Sequence, residues 1–193
     1  MRFRVLNKNP VYDYREFNKV TQGIDITEED ESYDNVGTTK WWIKQFVCNH
    51  SNTRCIRFRI IDKRPKSVVM QLIRATKGHV QPFVQSSRPD WNDGKERSSD
   101  PYEEKLFGQD HTPESFIEMA KQRLCNRTEE RTRKAMNEIV NEMKESDDPI
   151  IKAVGYCCKP YCWWYKGCPE IKGCGKFSEK VADLIIDEYK GHE

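Results

Sequence analysis

Three groups of side chains in this sequence have the types and spacings to do chemistry. The first lies around Gln85-Ser86-Ser87-Arg88, two hydroxyl donors beside a guanidinium. Such a set can hold three phosphate oxygens, with Arg supplying forked, permanently charged donors. Upstream, Gln71 and Arg74 stand three residues apart in a segment with helical spacing and therefore share a face. Gln offers both a donor and an acceptor to the edge of a base or a flavin. The second group is Arg123-Leu124-Cys125-Asn126-Arg127. Flanking arginines can depress a thiol pKa and make Cys125 a nucleophile, whereas a cysteine at a helix junction also serves as a small buried hydrophobe. The third is the cysteine-rich tail at about 155–176, with Cys157, Cys158, Cys162, Cys168 and Cys174. Cys158, Cys162, Cys168 and Cys174 form a candidate zinc set, although the last pair is spaced more widely than a standard knuckle. The alternative is an aromatic knot of Trp163, Trp164 and Tyr165 with free thiols.

The surroundings of these groups limit what they can be. Arg54, Arg57, Arg59, Lys63, Arg64, Lys66, Arg74, Lys77 and Arg88 crowd one segment in which Asp62 is the only carboxylate among them. That pattern fits either a solvated face balanced by the acidic stretch at 28–34 or a site for a small anion. Over the whole chain, 33 Lys+Arg against 31 Asp+Glu leave a net charge of only +2, small for a protein that coats nucleic acid. No apolar run approaches the ~20 residues that cross a bilayer. The opening Met1–Val5 run lacks the apolar stretch of a signal peptide. The expectation is a cytoplasmic protein whose eight cysteines are thiols or metal ligands rather than a disulfide framework. His111 and His192 have no partners at ligand spacing and receive no role.

The elements that must position these groups follow from periodicity. Phe3 and Val5 alternate with Arg2 and Arg4, which predicts a strand. Residues 38–47 fit a helix capped by Thr38, with Trp41-Trp42 as packing residues. Ile56, Phe58 and Ile60 alternate with Arg57 and Arg59, a second strand. Pro65 opens a helix carrying Val68, Val69, Leu72 and Ile73, expected to stop near Gly78. Residues 89–111 are punctuated and polar and predict a long loop. Thr112-Pro113 starts a helix with Phe116, Ile117, Ala120 and Leu124 inward. Another runs from about Thr128 to Glu145, and Ser178 caps a last helix with Val181, Leu184 and Ile185. The expected fold is a single α+β domain over 1–193: a small, mostly antiparallel sheet packed by helices that dominate the C-terminal half.

Taken in order, several of these segments resemble the flavin-dependent thymidylate synthases. The central run Gln71-Leu72-Ile73-Arg74-Ala75-Thr76-Lys77-Gly78-His79, leading to Gln85-Ser86-Ser87-Arg88, is similar to that family's Arg-His-Arg motif followed by its serine and Ser-x-Arg. Asn49-His50-Ser51 looks like the family's upstream His-Ser-Pro segment. Gln122-Arg123-Leu124-Cys125-Asn126-Arg127, closed by Arg133, looks like its helix junction, and Gly167-Cys168-Pro169-Glu170 to Gly173-Cys174-Gly175 like the tail of some members. The likeness covers about 38–92 and 113–176.

The resemblance implies a homotetramer with active sites between subunits. It implies transfer of a one-carbon unit from methylenetetrahydrofolate to C5 of deoxyuridylate, with hydride passing from NADPH through FAD. Gln71 and Arg123 would contact the base, Arg123 in the catalytic role, and Ser86, Ser87 and Arg88 the phosphate. His50 and Arg74 would lie against the flavin, with Lys77 and His79 standing in for the altered motif. The chain departs from the family at Ala75 and Thr76, which replace His and Arg, and at Val84, which replaces an acidic residue. Two other readings follow: a catalytically inactive deoxynucleotide-binding homologue that has lost flavin, and a zinc-bearing nucleic-acid-binding module.

Overall fold

Strand β1 (Arg2–Val5) opens the chain, and its Phe3 and Val5 face the interior as their alternation requires. The computed structural model describes residues 1–24, 37–75, 80–86, 88, 90, 100–178, 181–183 and 186. After β1 come α1 (Pro10–Thr21), α2 (Thr39–Cys48), a 3-10 turn (Ser51–Cys55) and β2 (Phe58–Pro65). Next are α3 (Lys66–Arg74), β3 (Gln81–Val84) and β4 (Glu104–His111). The C-terminal half holds α4 (Pro113–Arg123), α5 (Glu130–Glu145), α6 (Pro149–Cys157) and the short α7 (Tyr161–Tyr165). The strands form one antiparallel sheet in the order β1-β2-β4-β3. The fold is α+β. No helix among the described residues is long and apolar enough to cross a membrane.

Register decides which sheet residues meet the helices. Phe58 pairs with His111, Ile60 with Gln109 and Asp62 with Phe107, so these residues share the inner face. Arg59 pairs with Asp110 on the opposite face, where their side chains form a two-pronged ion pair of 2.6 and 2.7 Å. The inner face meets one apolar cluster that runs from Val11 to Cys158. Trp42 is fully buried within it, stacked on Phe46 at 5.5 Å and edge-on to Tyr14, which makes the tryptophan pair a packing element. Helix α6 is apolar on most of its surface and lies against α5. A Cβ on Gly155 would stand 2.9 Å from the Met143 Cβ, so glycine sets how closely the two helices approach.

The strand β4 replaces part of the loop expected over 89–111, and the reason is chemical. Its inward residues Gln109 and His111 are polar, so apolar alternation does not mark it. His111 is fully buried, stacked on Phe58 and edge-on to Phe116, with Gln109 Oε1 and Ser115 Oγ each 3.2 Å from a ring nitrogen. Burial holds its pKa down to about 3, so the ring is neutral. Lys105 is buried as well, its Nζ 2.8 Å from Glu103. Helices α1 and α6 were not marked by the sequence pattern either. Pro65 ends β2 and stands at the N-cap of α3 rather than inside it, and α3 ends at Arg74, short of Gly78. The acidic stretch at 28–34 and Leu184 and Ile185 of the expected last helix lie outside the described residues.

Candidate functional site

Helix α3 buries Val68, Val69 and Leu72, which leaves Gln71 half-buried and Arg74 exposed at its end. Helix α4 buries Phe116, Ile117, Met119 and Ala120, and that face sets Arg123 as its last residue, against the end of α3. The contact is specific: Arg123 Nη2 donates to the backbone oxygen of Gln71 at 2.7 Å. Carbonyls in the last turn of a helix lack intrahelical donors, and a guanidinium there satisfies one of them and opposes the helix dipole. That contact accounts for one nitrogen only. Arg123 Nε is buried and has no hydrogen-bond partner among the described residues. No carboxylate among the described residues pairs with the group, and burial alone pulls its pKa below the usual arginine range.

Gln71 and Arg123 line one cavity of about 420 Å³ together with Gln122, Arg127, Thr128, Glu129, Tyr161, Glu170 and Cys125. The volume is that of a small-molecule site. Its floor is fixed by local bonds. Thr128 Oγ1 donates to the Gln122 carbonyl at 2.7 Å, and the Glu129 carboxylate caps α5 by accepting from Arg131 N and Thr132 N at 3.0 and 2.8 Å. Burial works against the charged carboxylate of Glu129. The Thr132 and Arg131 donors nonetheless hold it below the usual carboxylate range, so the rim keeps a negative charge committed to the helix.

The residues expected to hold phosphate lie elsewhere in the chain. Ser86 and Arg88 follow β3, the edge strand, and the Gln71–Arg123 cavity is not lined by them. Ser86 Oγ accepts from the Arg88 backbone N–H at 3.1 Å. The Arg88 guanidinium is exposed and forked onto Asp90 at 2.7 and 3.2 Å. Ser87 and Thr76, Lys77 and His79 lie outside the described residues. Val84 sits at the end of β3 and Ala75 is buried just after α3.

His50 precedes the 3-10 turn, whose Arg54 pairs with Glu114 at 2.5 Å in the first turn of α4. Arg74 ends α3, which meets the last residue of α4 through Gln71. From residue 114 to 123 a helix rises roughly 14 Å. The His50 and Arg74 turns therefore attach to opposite ends of α4.

The tail contributes to the same end of α4. Cys162, Cys168 and Cys174 line a second, smaller cavity with Cys125, and it shares Cys125, Arg127, Tyr161 and Glu170 with the first. Cys158, grouped with the tail thiols in the sequence reading, is 2% exposed inside the apolar core, where burial pushes its pKa well up. All eight cysteines are free. Among the described residues no three His, Cys, Asp or Glu side chains are yet gathered closely enough to hold an ion. Burial also pushes the Cys125 thiol up, with only the Arg127 N–H opposing it, so the depressed pKa expected from its arginine neighbours is not created by the fold. Tyr161, which lines the larger cavity, carried no signal in the sequence because it reaches it from a distant segment, and Glu170 was marked only as part of the tail.

Four cations of the basic segment at and before β2 are held in ion pairs. Arg54 pairs with Glu114, Arg59 with Asp110, Lys63 with Glu104, and Arg64 with both Asp62 and Glu138. Compared with models of known protein families and with curated proteins, the chain matches none.

Proposed function

We propose that the cavity at the C-terminal end of α4 binds the base of a deoxypyrimidine monophosphate. We further propose that the chain is a flavin-dependent thymidylate synthase-like enzyme that transfers a one-carbon unit to C5 of deoxyuridylate. The supporting observation is the Arg123 guanidinium, which is anchored on Gln71 through Nη2, buried at an unpartnered Nε, and free of a carboxylate counterion. A uracil carbonyl is a neutral acceptor that such a cation can polarise. C5 becomes nucleophilic when negative charge builds on the ring oxygens, and a fixed guanidinium in a partly dry cavity stabilises that charge without reorganising. Gln71 adds an amide able to pair with the edge of the ring. No protein nucleophile is needed for this step, in keeping with a Cys125 thiol held protonated.

Binding the phosphate through Ser86, Ser87 and Arg88 requires a second subunit in this proposal, because the sheet edge and the end of α4 do not share this cavity within a chain. The homotetramer implied by the resemblance would supply it. A second reading has a specific observation in its favour. Ala75 and Val84, which stand where the resembling family has His and an acidic residue, fit a homologue that binds the nucleotide without flavin. The ion pairs along β2 give the nucleic-acid reading little to work with, since its cations are already engaged. Titrating the reduced protein with FAD and with deoxyuridylate separates these readings. Uptake of both supports the enzyme, deoxyuridylate alone supports the flavin-free binder, and binding of neither removes the assignment.

A further inference from the structure

The tail from Lys166 to Ser178 raises a separate physical question. It is held by very little apolar burial: α7 contributes no buried residue, and Ile171 is 95% exposed. Yet its cysteines do not scatter. Cys162 comes from α7, Cys168 from the segment after it and Cys174 from the following turn, and all three face the same narrow cavity as Cys125 at the end of α4. The space between them is about 80 Å³, too small for a nucleotide and sufficient for an ion.

The backbone is already arranged to present sulfur. Arg127 N donates to Cys125 Sγ at 3.4 Å, two residues along, and the Lys176 backbone N–H addresses Cys174 with the same offset. Asn126 Nδ2 reaches Cys174 Sγ at 3.8 Å, tying the helix junction to the tail. Gly175 takes φ +83°, a left-handed turn directly after Cys174 that a side chain would strain. Donors aimed at sulfur and a turn behind it are how a thiolate ligand is held and its charge spread. Arg127 and Lys176 also line the cavity and offset the negative charge that four thiolates around a divalent ion leave.

We propose that Cys125, Cys162, Cys168 and Cys174 form a four-thiolate zinc site that fastens the tail to the end of α4. Four soft ligands on a tetrahedral centre select zinc over hard cations such as magnesium or calcium. Each thiol releases its proton to solvent as it binds, and no oxidation or reduction takes place. Since the ligands are not yet gathered around one point, binding closes the 168–175 turn onto Cys125 and Cys162. The set differs from that suggested by spacing alone, because Cys158 is lost to the core and Cys125 replaces it from more than thirty residues upstream.

The test is elemental analysis of the full-length protein purified under reducing conditions from zinc-supplemented medium, with cobalt exchange as a second readout. The expected result is about one zinc per chain and, on exchange, the intense ligand-field absorption of tetrahedral cobalt thiolate. Cys125→Ser and the exposed Cys174→Ser should each keep less than about a tenth of the metal, while Cys48→Ser, on α2 and away from the cavity, keeps it all. Zinc retained by Cys125→Ser, iron in place of zinc, or a metal-free wild type with four reduced tail thiols would each overturn the proposal. None of these outcomes depends on whether a nucleotide binds next door.

Discussion

The two ends of α4 differ in how completely the chain satisfies its own polar groups. At the N-terminal end the charges are paired, although Gln109 Nε2 is buried without a hydrogen-bond partner among the described residues. Thr112 and Ser115 form a reciprocal capping box, Arg54 is forked onto Glu114, and His111 is enclosed by Ser115, Gln109 and two aromatic rings. At the C-terminal end Arg123, among the described residues, keeps a buried nitrogen without a partner and a positive charge without a counterion. Burying a charge in that state costs stability, so a fold that keeps it spends stability on a site. The closed end is where α4 is held, and the open end is where the proposed ligand would complete the structure.

The largest effect should come from acid at the closed end. His111 is neutral in the folded chain, with a pKa near 3 against 6.5 when free, so the unfolded chain takes up the proton first. Stability is therefore full above pH 6.5 and falls as the pH drops from there towards 3, by up to about 4 kcal/mol. Urea unfolding across that range should show the loss, and His111→Phe should flatten the slope. An unchanged slope in the variant would mean that other groups carry the acid sensitivity.

At the open end, Arg123→Met should weaken deoxyuridylate binding by about 3 kcal/mol, on the order of 100-fold, as two charge-assisted contacts are lost. Its melting temperature should hardly move, because a buried unpaired cation is replaced by an apolar chain of similar length. A large drop in stability with binding intact would recast Arg123 as a cap for α3 and nothing more. Arg88→Ala should weaken monophosphate binding by about 2 kcal/mol, less than Arg123→Met because Arg88 exchanges one anion, Asp90, for another. Calorimetry that finds unchanged affinity removes the sheet edge from the site. The smallest effect is expected from Thr112→Ala, about 1 kcal/mol of stability lost with the cap and no change in binding. Any change in affinity there would show that the two ends of α4 are not independent.

This contrast also explains what the sequence made legible. Helix α2 announced itself because the Thr38 hydroxyl oxygen caps it by accepting from Trp41 N and apolar residues follow at helical spacing. Strand β4 did not, because its inward positions hold Gln109 and His111, polar residues that break the apolar alternation. The meeting of Gln71 with Arg123 was suggested by family resemblance, and no spacing rule links two helices so far apart in the chain. Tyr161, Glu170 and the thiols that join Cys125 come from the tail, so that side of the site is defined by tertiary packing alone. The partners of the basic segment were hidden for the same reason: Asp110, Glu114 and Glu138, which pair with Arg59, Arg54 and Arg64, lie far along the sequence.

The central claim is that the C-terminal end of α4 receives the pyrimidine. Amide hydrogen exchange of the reduced full-length protein, with and without saturating deoxyuridylate, locates the ligand directly. The account requires new protection across residues 122–128 and the end of α3, where Gln71 and Arg123 meet. Protection confined to other segments, or none at saturation, would contradict it.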